Sequence, residues 1–226
     1  DRSTHLDWYE GPTLLELLEQ TEVEKDINLD YARLPVQYVI RPQTEELHDY
    51  RGYAGKIISG IYRKGDVITV LPAGHTSRIR SIENGGKEVE EAFAPQSVVL
   101  QLEDDIDISR GDLIAKADHQ PRVEQELEVL LCWMDSKTLV PGNKYLLQIG
   151  SRTVRSLVKE IEYRLDVNTL EKNYEVKQAG LNDIVKATIK TATPLPFDAY
   201  ATLQANGGVI LIDETSNVTV VACMIQ

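Results

Sequence analysis

The sequence predicts an all-β chain of two consecutive antiparallel β-barrels preceded by one short helix. Three observations carry this reading. From residue 34 onward, apolar residues alternate with polar ones at the period of a strand. Turn-forming groups punctuate the pattern at short intervals, among them Lys64-Gly65, Asn84-Gly85-Gly86 and Arg110-Gly111-Asp112. The length of 226 residues is comfortable for two domains, each able to bury its own core. Closure into barrels is the economical arrangement of many strands joined by short turns, because it removes exposed edges.

The helix comes first. Thr13-Leu14-Leu15-Glu16 fits a capping box, in which the hydroxyl and the carboxylate satisfy free N–H groups of the first turn. Leu14, Leu15, Leu17 and Leu18 then form one apolar face that needs a cover. The polar, acidic stretch from Glu22 to Asp30 reads as a linker towards a first strand at Leu34-Pro35-Val36. Residues 1–33 are therefore expected to be a terminal helix plus linker, the end of a domain that the chain lacks.

The first barrel is expected over residues 34–118. Val36, Tyr38 and Ile40 alternate, and Asp66 to Leu71 is a β-branched run after the Lys64-Gly65 turn. Asn84-Gly85-Gly86 signals a hairpin whose two central residues must tolerate positive φ. Ser97 to Leu102 and Leu113 to Ala115 supply further strands, and the segment Lys116 to Pro121 interrupts the pattern at the boundary. The second barrel is expected over residues 119–226, with strands at Glu126–Met134, Lys144–Ile149 and Leu157–Leu165, the last pointing Ile161, Tyr163 and Leu165 one way. Val185, Ala187 and Ile189 alternate with Lys186, Thr188 and Lys190, as in a strand with one buried and one wet face. Val209–Ile212 and Val218–Ile225 complete the sheet.

Charge and composition exclude several function classes. A net charge of −12 disfavours a dominant role on nucleic acid or an anionic membrane, which draws on clustered Lys and Arg. No apolar stretch approaches a transmembrane span, and the start Asp1 to His5 lacks the build of a signal peptide, so a soluble, cytoplasmic protein is expected. Cys132 and Cys223 are too few and too far apart for a disulfide framework, which also removes weight from the sequon Asn217-Val218-Thr219. The densest basic spellings are Arg78-Ile79-Arg80 and Arg152-Thr153-Val154-Arg155. Arg78, Arg80, Arg152 and Arg155 are the candidate partner contacts, with Arg78 and Arg80 on one strand face and Ile79 on the other. A solvated sheet face is the plainer reading of these arginines.

No complete catalytic, cofactor or metal site is expected. There is no glycine-rich phosphate loop ending in Lys and Ser or Thr, and Pro141-Gly142-Asn143-Lys144-Tyr145 resembles a nucleotide signature only superficially. His5, His48, His75 and His119 are isolated from one another, without metal-ligand spacing. Ser59-Gly60 and Ser109-Arg110-Gly111 lack the frame of a nucleophile elbow. The acidic run Glu103 to Asp107 lacks the spacing of a calcium loop and reads as a solvated turn, and Arg110-Gly111-Asp112 reads as a tight turn rather than an adhesion signal. Alone, such a chain binds and couples.

A family resemblance runs along these motifs. Trp8 to Leu15, Pro35 to Val39 and Arg41-Pro42 closely resemble the GTP-binding large subunit of bacterial sulfate adenylyltransferase. So do Arg51 to Gly60, Arg63 to Asp66, Val70 to Gly74, Thr76 to Arg78 and Asp107 to Asp112. Cys132 to Met134, Pro141 to Tyr145, Asp166 to Leu170 and Val209 to Asp213 continue the likeness, which covers essentially the whole chain. It implies two barrels like domains 2 and 3 of translation elongation factors, following a GTPase domain that is absent here and that would hold GTP and Mg. It implies a smaller partner subunit that transfers the adenylyl group of ATP to sulfate, with GTP hydrolysis driving the unfavourable step. The barrels would then grip that subunit and change their docking against the GTPase domain as the nucleotide turns over.

Two positions and one stretch depart from the family pattern: Pro95 and Cys223 stand where glycine is expected, and Gln43 to Leu47 resembles a loop insertion. Two other function classes stand beside this one. A barrel fragment of a translation-type GTPase would bind transfer RNA or protein, which the net charge disfavours for RNA. A self-sufficient enzyme would need perturbed carboxylates, for which Glu103 to Asp107 is the sole candidate.

Overall fold

The computed structural model describes residues 8–21, 27–42 and 50–226. His5, His48, residues 22–26 of the expected linker and the Gln43–Leu47 insertion lie outside the described residues. Helix α1 (Leu14–Gln20) has the expected capping box: Thr13 Oγ1 accepts the Glu16 N–H at 3.2 Å, and the Thr13 N–H donates to the Glu16 carboxylate at 2.7 Å. None of its residues is buried.

The first β unit contains β1 (Arg33–Pro35), β2 (Tyr38–Ile40), β3 (Gly52–Lys56), β4 (Ile61–Arg63), β5 (Val67–Leu71), β6 (His75–Asn84), β7 (Lys87–Val89), β8 (Glu91–Phe93), β9 (Ser97–Leu102) and β10 (Leu113–Lys116). Its sheet runs β1-β10-β5-β6-β9-β3-β2, with β7 on β6 and a separate β4–β8 ribbon. The sheet curls into a half-barrel rather than closing strand on strand, and an isolated Arg33↔Ser59 bridge ties β1 to the chain beyond β3. Ile68, Val70, Ile79, Ile82 and Leu100 fill the inside together with Tyr53 and Tyr62. The Tyr62 hydroxyl, wholly buried, donates to the Ile114 carbonyl at 2.6 Å, and burial pushes its pKa up. The Asn84-Gly85-Gly86 turn closes the β6–β7 hairpin with Asn84 opposite Lys87 and both glycines at positive φ, 59° and 77°.

The second unit contains β11 (Arg122–Trp133), β12 (Lys144–Ile149), β13 (Arg152–Leu165), β14 (Lys172–Asn173), β15 (Ile184–Phe197), α2 (Gln204–Gly207), β16 (Gly208–Ile212) and β17 (Thr219–Ile225). The order β12-β16-β17-β11-β15-β13 returns to β12, so six strands close into a barrel, with β14 added to β13. Trp133 lies in its core, edge-to-face with Tyr145 at 5.7 Å, and its indole N–H donates to the Lys137 carbonyl at 2.7 Å. Val185, Ala187 and Ile189 point inward as expected.

Three expectations are corrected. Tyr38 does not share a buried face with Val36, being 66% exposed. The strand breaks between them, where the Val36 and Gln37 N–H groups turn to the Asp112 and Ala54 carbonyls. Tyr163 does not point with Ile161, because a bulge at Glu162 shifts the register: Ile161 faces buried Ala187, whereas Tyr163 faces Lys186 on the outside. Strands β11 and β13 begin at Arg122 and Arg152, four and five residues earlier than the apolar pattern starts, because ladder bonds extend through exposed polar residues that carry no hydrophobic signal.

Candidate functional site

The register places outward-facing residues of the closed barrel in two adjoining rows. Leu165, Ile184, Cys132, Ala222, Ile210 and Gln148 stand opposite one another from β13 through β15, β11, β17 and β16 to β12. Tyr163, Lys186, Leu130, Met224 and Gly208 form the second row. Most of them lie between residues that point into the core, and the pairing puts the rest on the same face, so these side chains face out; Lys186 alone is charged. Most of them line an open groove of about 590 Å³. The exterior of the same strands elsewhere carries Glu126, Glu128, Lys159 and Glu160. There Lys159 pairs with Glu126 at 2.9 Å and Lys186 with Glu128 at 2.8 Å, and these lysines hold both glutamates below the usual carboxylate range. One barrel thus has a charged outer region and an apolar belt, and a belt of this kind marks a contact surface.

The belt meets the linker at one end. Tyr200 packs beside Gly208, and it lines both the belt groove and a second cleft of about 1010 Å³ whose other wall is Ile27 to Asp30. Ile27 and Leu29 are 45% and 47% exposed, and the four leucines of α1 are at least half exposed. Apolar side chains are therefore uncovered on the helix and, separately, on residues 27–30 beside the belt.

The two β units are fastened at a polar seam. Arg33, at the start of β1, reaches across to Asp198 after β15, and a second fork nitrogen donates to the His119 carbonyl at 2.7 Å in the connection between the units. Asn206 of α2 donates to the same Asp198 carboxylate at 2.8 Å. Arg152 pairs with Asp112 at 3.1 Å, and the Ser151 hydroxyl donates to the Val36 carbonyl at 2.8 Å.

The four arginines singled out by the sequence do not converge. Arg78 and Arg80 share the exposed face of β6 with Ile79 buried behind them, and they hold the Gly65 and Glu103 carbonyls. Arg152 is turned into the seam, with its Nε buried and unpartnered. Arg155 stands exposed on β13, 3.4 Å from Glu214. The acidic turn is strapped down: Arg51 pairs with Asp105, and the Ser77 hydroxyl donates to Asp104 at 2.7 Å. Among the described residues, no group of three or more His, Cys, Asp or Glu side chains is placed to hold a metal ion, and no helix is long and apolar enough to cross a membrane. The belt escaped sequence reasoning, although one signal was present. Val129 to Met134 is apolar at consecutive positions, which in a strand means that both faces are covered.

Comparison with known proteins places these features. Residues 126–226 match the family described as GTP-eEF1A C-terminal domain-like. The bifunctional enzyme CysN/CysC of Mycobacterium tuberculosis is 45% identical over 225 residues, covering 99% of this chain and 37% of its own length. Sulfate adenylyltransferase subunit 1 of Shewanella oneidensis is 40% identical over 227 residues, covering 99% of this chain and 46% of its own length. The chain thus spans less than half the length of these relatives. Among solved structures, Sup35 complexed with GDP superposes with a TM-score of 0.78 over 96% of this chain and 52% of its own, at 20% identity. Translation elongation factor SelB from Methanococcus maripaludis does so with a TM-score of 0.68 over 94% of this chain and 44% of its own, at 17% identity. The last two establish the fold alone.

Proposed function

Because the chain belongs to the family of sulfate adenylyltransferase subunit 1, we propose that it is the barrel portion of such a subunit and serves as its coupling body. In the longer parent, a GTPase domain holding GTP and Mg covers α1 and docks on the apolar belt in one nucleotide state. The seam at Arg33 transmits that docking to the first β unit. A small subunit, bound to the barrels in the cytoplasm, carries out adenylyl transfer: a sulfate oxygen attacks the α-phosphorus of ATP and pyrophosphate leaves. The mixed anhydride formed is high in energy, so tying the step to GTP hydrolysis draws it forward. No residue of this chain is assigned to catalysis, to GTP or to a metal.

The observation that carries the reading is the belt itself, because its groove and the cleft walled by Ile27 to Asp30 share Tyr200, which sets the belt beside the linker that would tether the GTPase domain. Arg78, Arg80 and Arg155 remain available to an acidic surface of the small subunit, whereas Arg152 acts through the seam. The test is calorimetric titration of the chain with the small subunit, at low and at raised salt. Saturable, stoichiometric binding supports the barrels as the platform. No heat at high micromolar concentration would overturn that role and place the essential contacts in the GTPase domain.

A further inference from the structure

One buried polar atom stands out at the seam. Among the described residues, Arg152 Nε is the sole buried side-chain nitrogen or oxygen without a hydrogen-bond partner. The rest of that side chain is held in place. Its Nη1 donates to the Asp112 carboxylate at 3.1 Å, and its stem lies against Gly111, where an added Cβ would come within 3.1 Å of Arg152 Cβ. Folded proteins rarely leave a buried N–H unsatisfied, least of all a charged one, because it has given up water without a replacement. A recess of about 20 Å³ lies at the same place, and its polar walls are Arg152 itself, Asp112, Ser151 and Asn206. One water needs roughly 10–15 Å³, so the recess has room for one and for nothing larger.

We propose that this recess is the seat of one ordered water, which accepts the Arg152 Nε–H and joins the two polar clusters of the seam into a single network. The chemistry of the walls selects this occupant. A cation would face the Arg152 guanidinium and an anion the Asp112 carboxylate, whereas a water both accepts and donates. Acceptors for its two hydrogens stand on the same walls. The Ser151 hydroxyl gives its own proton to the Val36 carbonyl at 2.8 Å, which leaves its oxygen to accept. Asn206 turns its amide nitrogen to Asp198 at 2.8 Å, which leaves its amide oxygen, and the residue is only 3% exposed, so that oxygen also needs a partner from within. On one side of the water stand Arg152 and Asp112; on the other, Asn206 holds Asp198, which pairs with Arg33 at 2.9 Å. The water's place in the seam is independent of what covers the belt.

The test joins a high-resolution crystal structure of the chain to oxygen-17 magnetic relaxation dispersion, which counts the waters that tumble with the protein, on wild type and Arg152→Lys. Lysine keeps a positive charge for Asp112 and has no N–H at the position of Nε. The expected structure has a water within about 3.2 Å of Arg152 Nε and of the Asn206 amide oxygen or the Ser151 hydroxyl. The expected dispersion amplitude is lower by about one water in Arg152→Lys, with thermal unfolding still cooperative. Should the variant fail to fold, the wild-type structure decides by itself. A recess without density, or Arg152 Nε bonded to a protein acceptor, overturns the proposal. Equal dispersion amplitudes in wild type and a folded Arg152→Lys overturn it as well, because a water that exchanges freely with bulk does not join the seam.

Discussion

Arg33 and Asp198 form a two-pronged ion pair across the seam between the β units, Nε to Oδ2 and Nη2 to Oδ1, each at 2.9 Å. Arg33 is 1% exposed, so Asp198, and not water, compensates its charge. Asp198→Ala should destabilise the protein by about 3–5 kcal/mol, because it leaves a buried guanidinium unpaired. Arg33→Met should cost less, since Asp198 keeps the Asn206 amide and some access to water. Urea denaturation of Asp198→Ala should also separate into two transitions as the units lose their fastening. A single transition shifted by less than 1 kcal/mol would refute the role given to the pair.

Gly60 and Gly85 both have positive φ, 78° and 59°, yet only one is crowded. A Cβ at Gly60 would lie 2.2 Å from Ala32 Cα, where the chain arriving from the linker crosses the first sheet; at Gly85 it would meet nothing within 4 Å. Gly85→Ala should cost about 1 kcal/mol from backbone conformation alone. Gly60→Ala adds a backbone clash and should cost more than ~3 kcal/mol. Equal losses in chemical denaturation would show that the close approach at Ala32 carries no weight.

These features differ in how far the sequence reveals them. The Thr13–Glu16 box and the Asn84-Gly85-Gly86 turn are decided by three or four adjacent residues, so local chemistry suffices. The side on which Tyr163 lies depends on a bulge set by the neighbouring strand, which a period of two cannot register. Arg33 and Asp198 are 165 positions apart, and neither has a local pattern that names the other. The belt shows in the sequence only as apolar residues of both parities in Val129 to Met134; its extent appears once the register aligns Cys132 with Ala222 and Ala222 with Ile210.

Met224, 36% exposed in the middle of the belt, separates docking from stability. Met224→Glu should leave the chain's stability within about 0.5 kcal/mol, since the side chain points away from the core. Under the proposed docking of a GTPase domain on the belt, the same change in the longer parent would place a carboxylate against an apolar face and should abolish GTP-dependent compaction in small-angle scattering. Compaction like that of wild type would remove the belt from the docking surface.

Asp166 supplies a pH test of the tip of the β13–β14 hairpin. N–H donation from Asn168 and Thr169 lowers its pKa below the usual value of about 3.9. A lowered folded-state pKa contributes stability that is present above the unfolded value and lost as pH falls through the folded one. Amide exchange at Asn168 and Thr169 should therefore stay slow near neutrality and accelerate on acidification below the ordinary carboxylate range, relative to the intrinsic rate. Asp213 accepts the Thr215 and Ser216 N–H groups in a similar turn and is likewise lowered, which provides an internal reference. Asp166→Asn keeps an acceptor oxygen without the charge, so it should weaken protection at the tip and abolish its pH dependence while leaving the Asp213 turn unchanged. If the Asn168 and Thr169 amides of Asp166→Asn still deprotect with acid as in wild type, the carboxylate is not what holds the turn between β13 and β14.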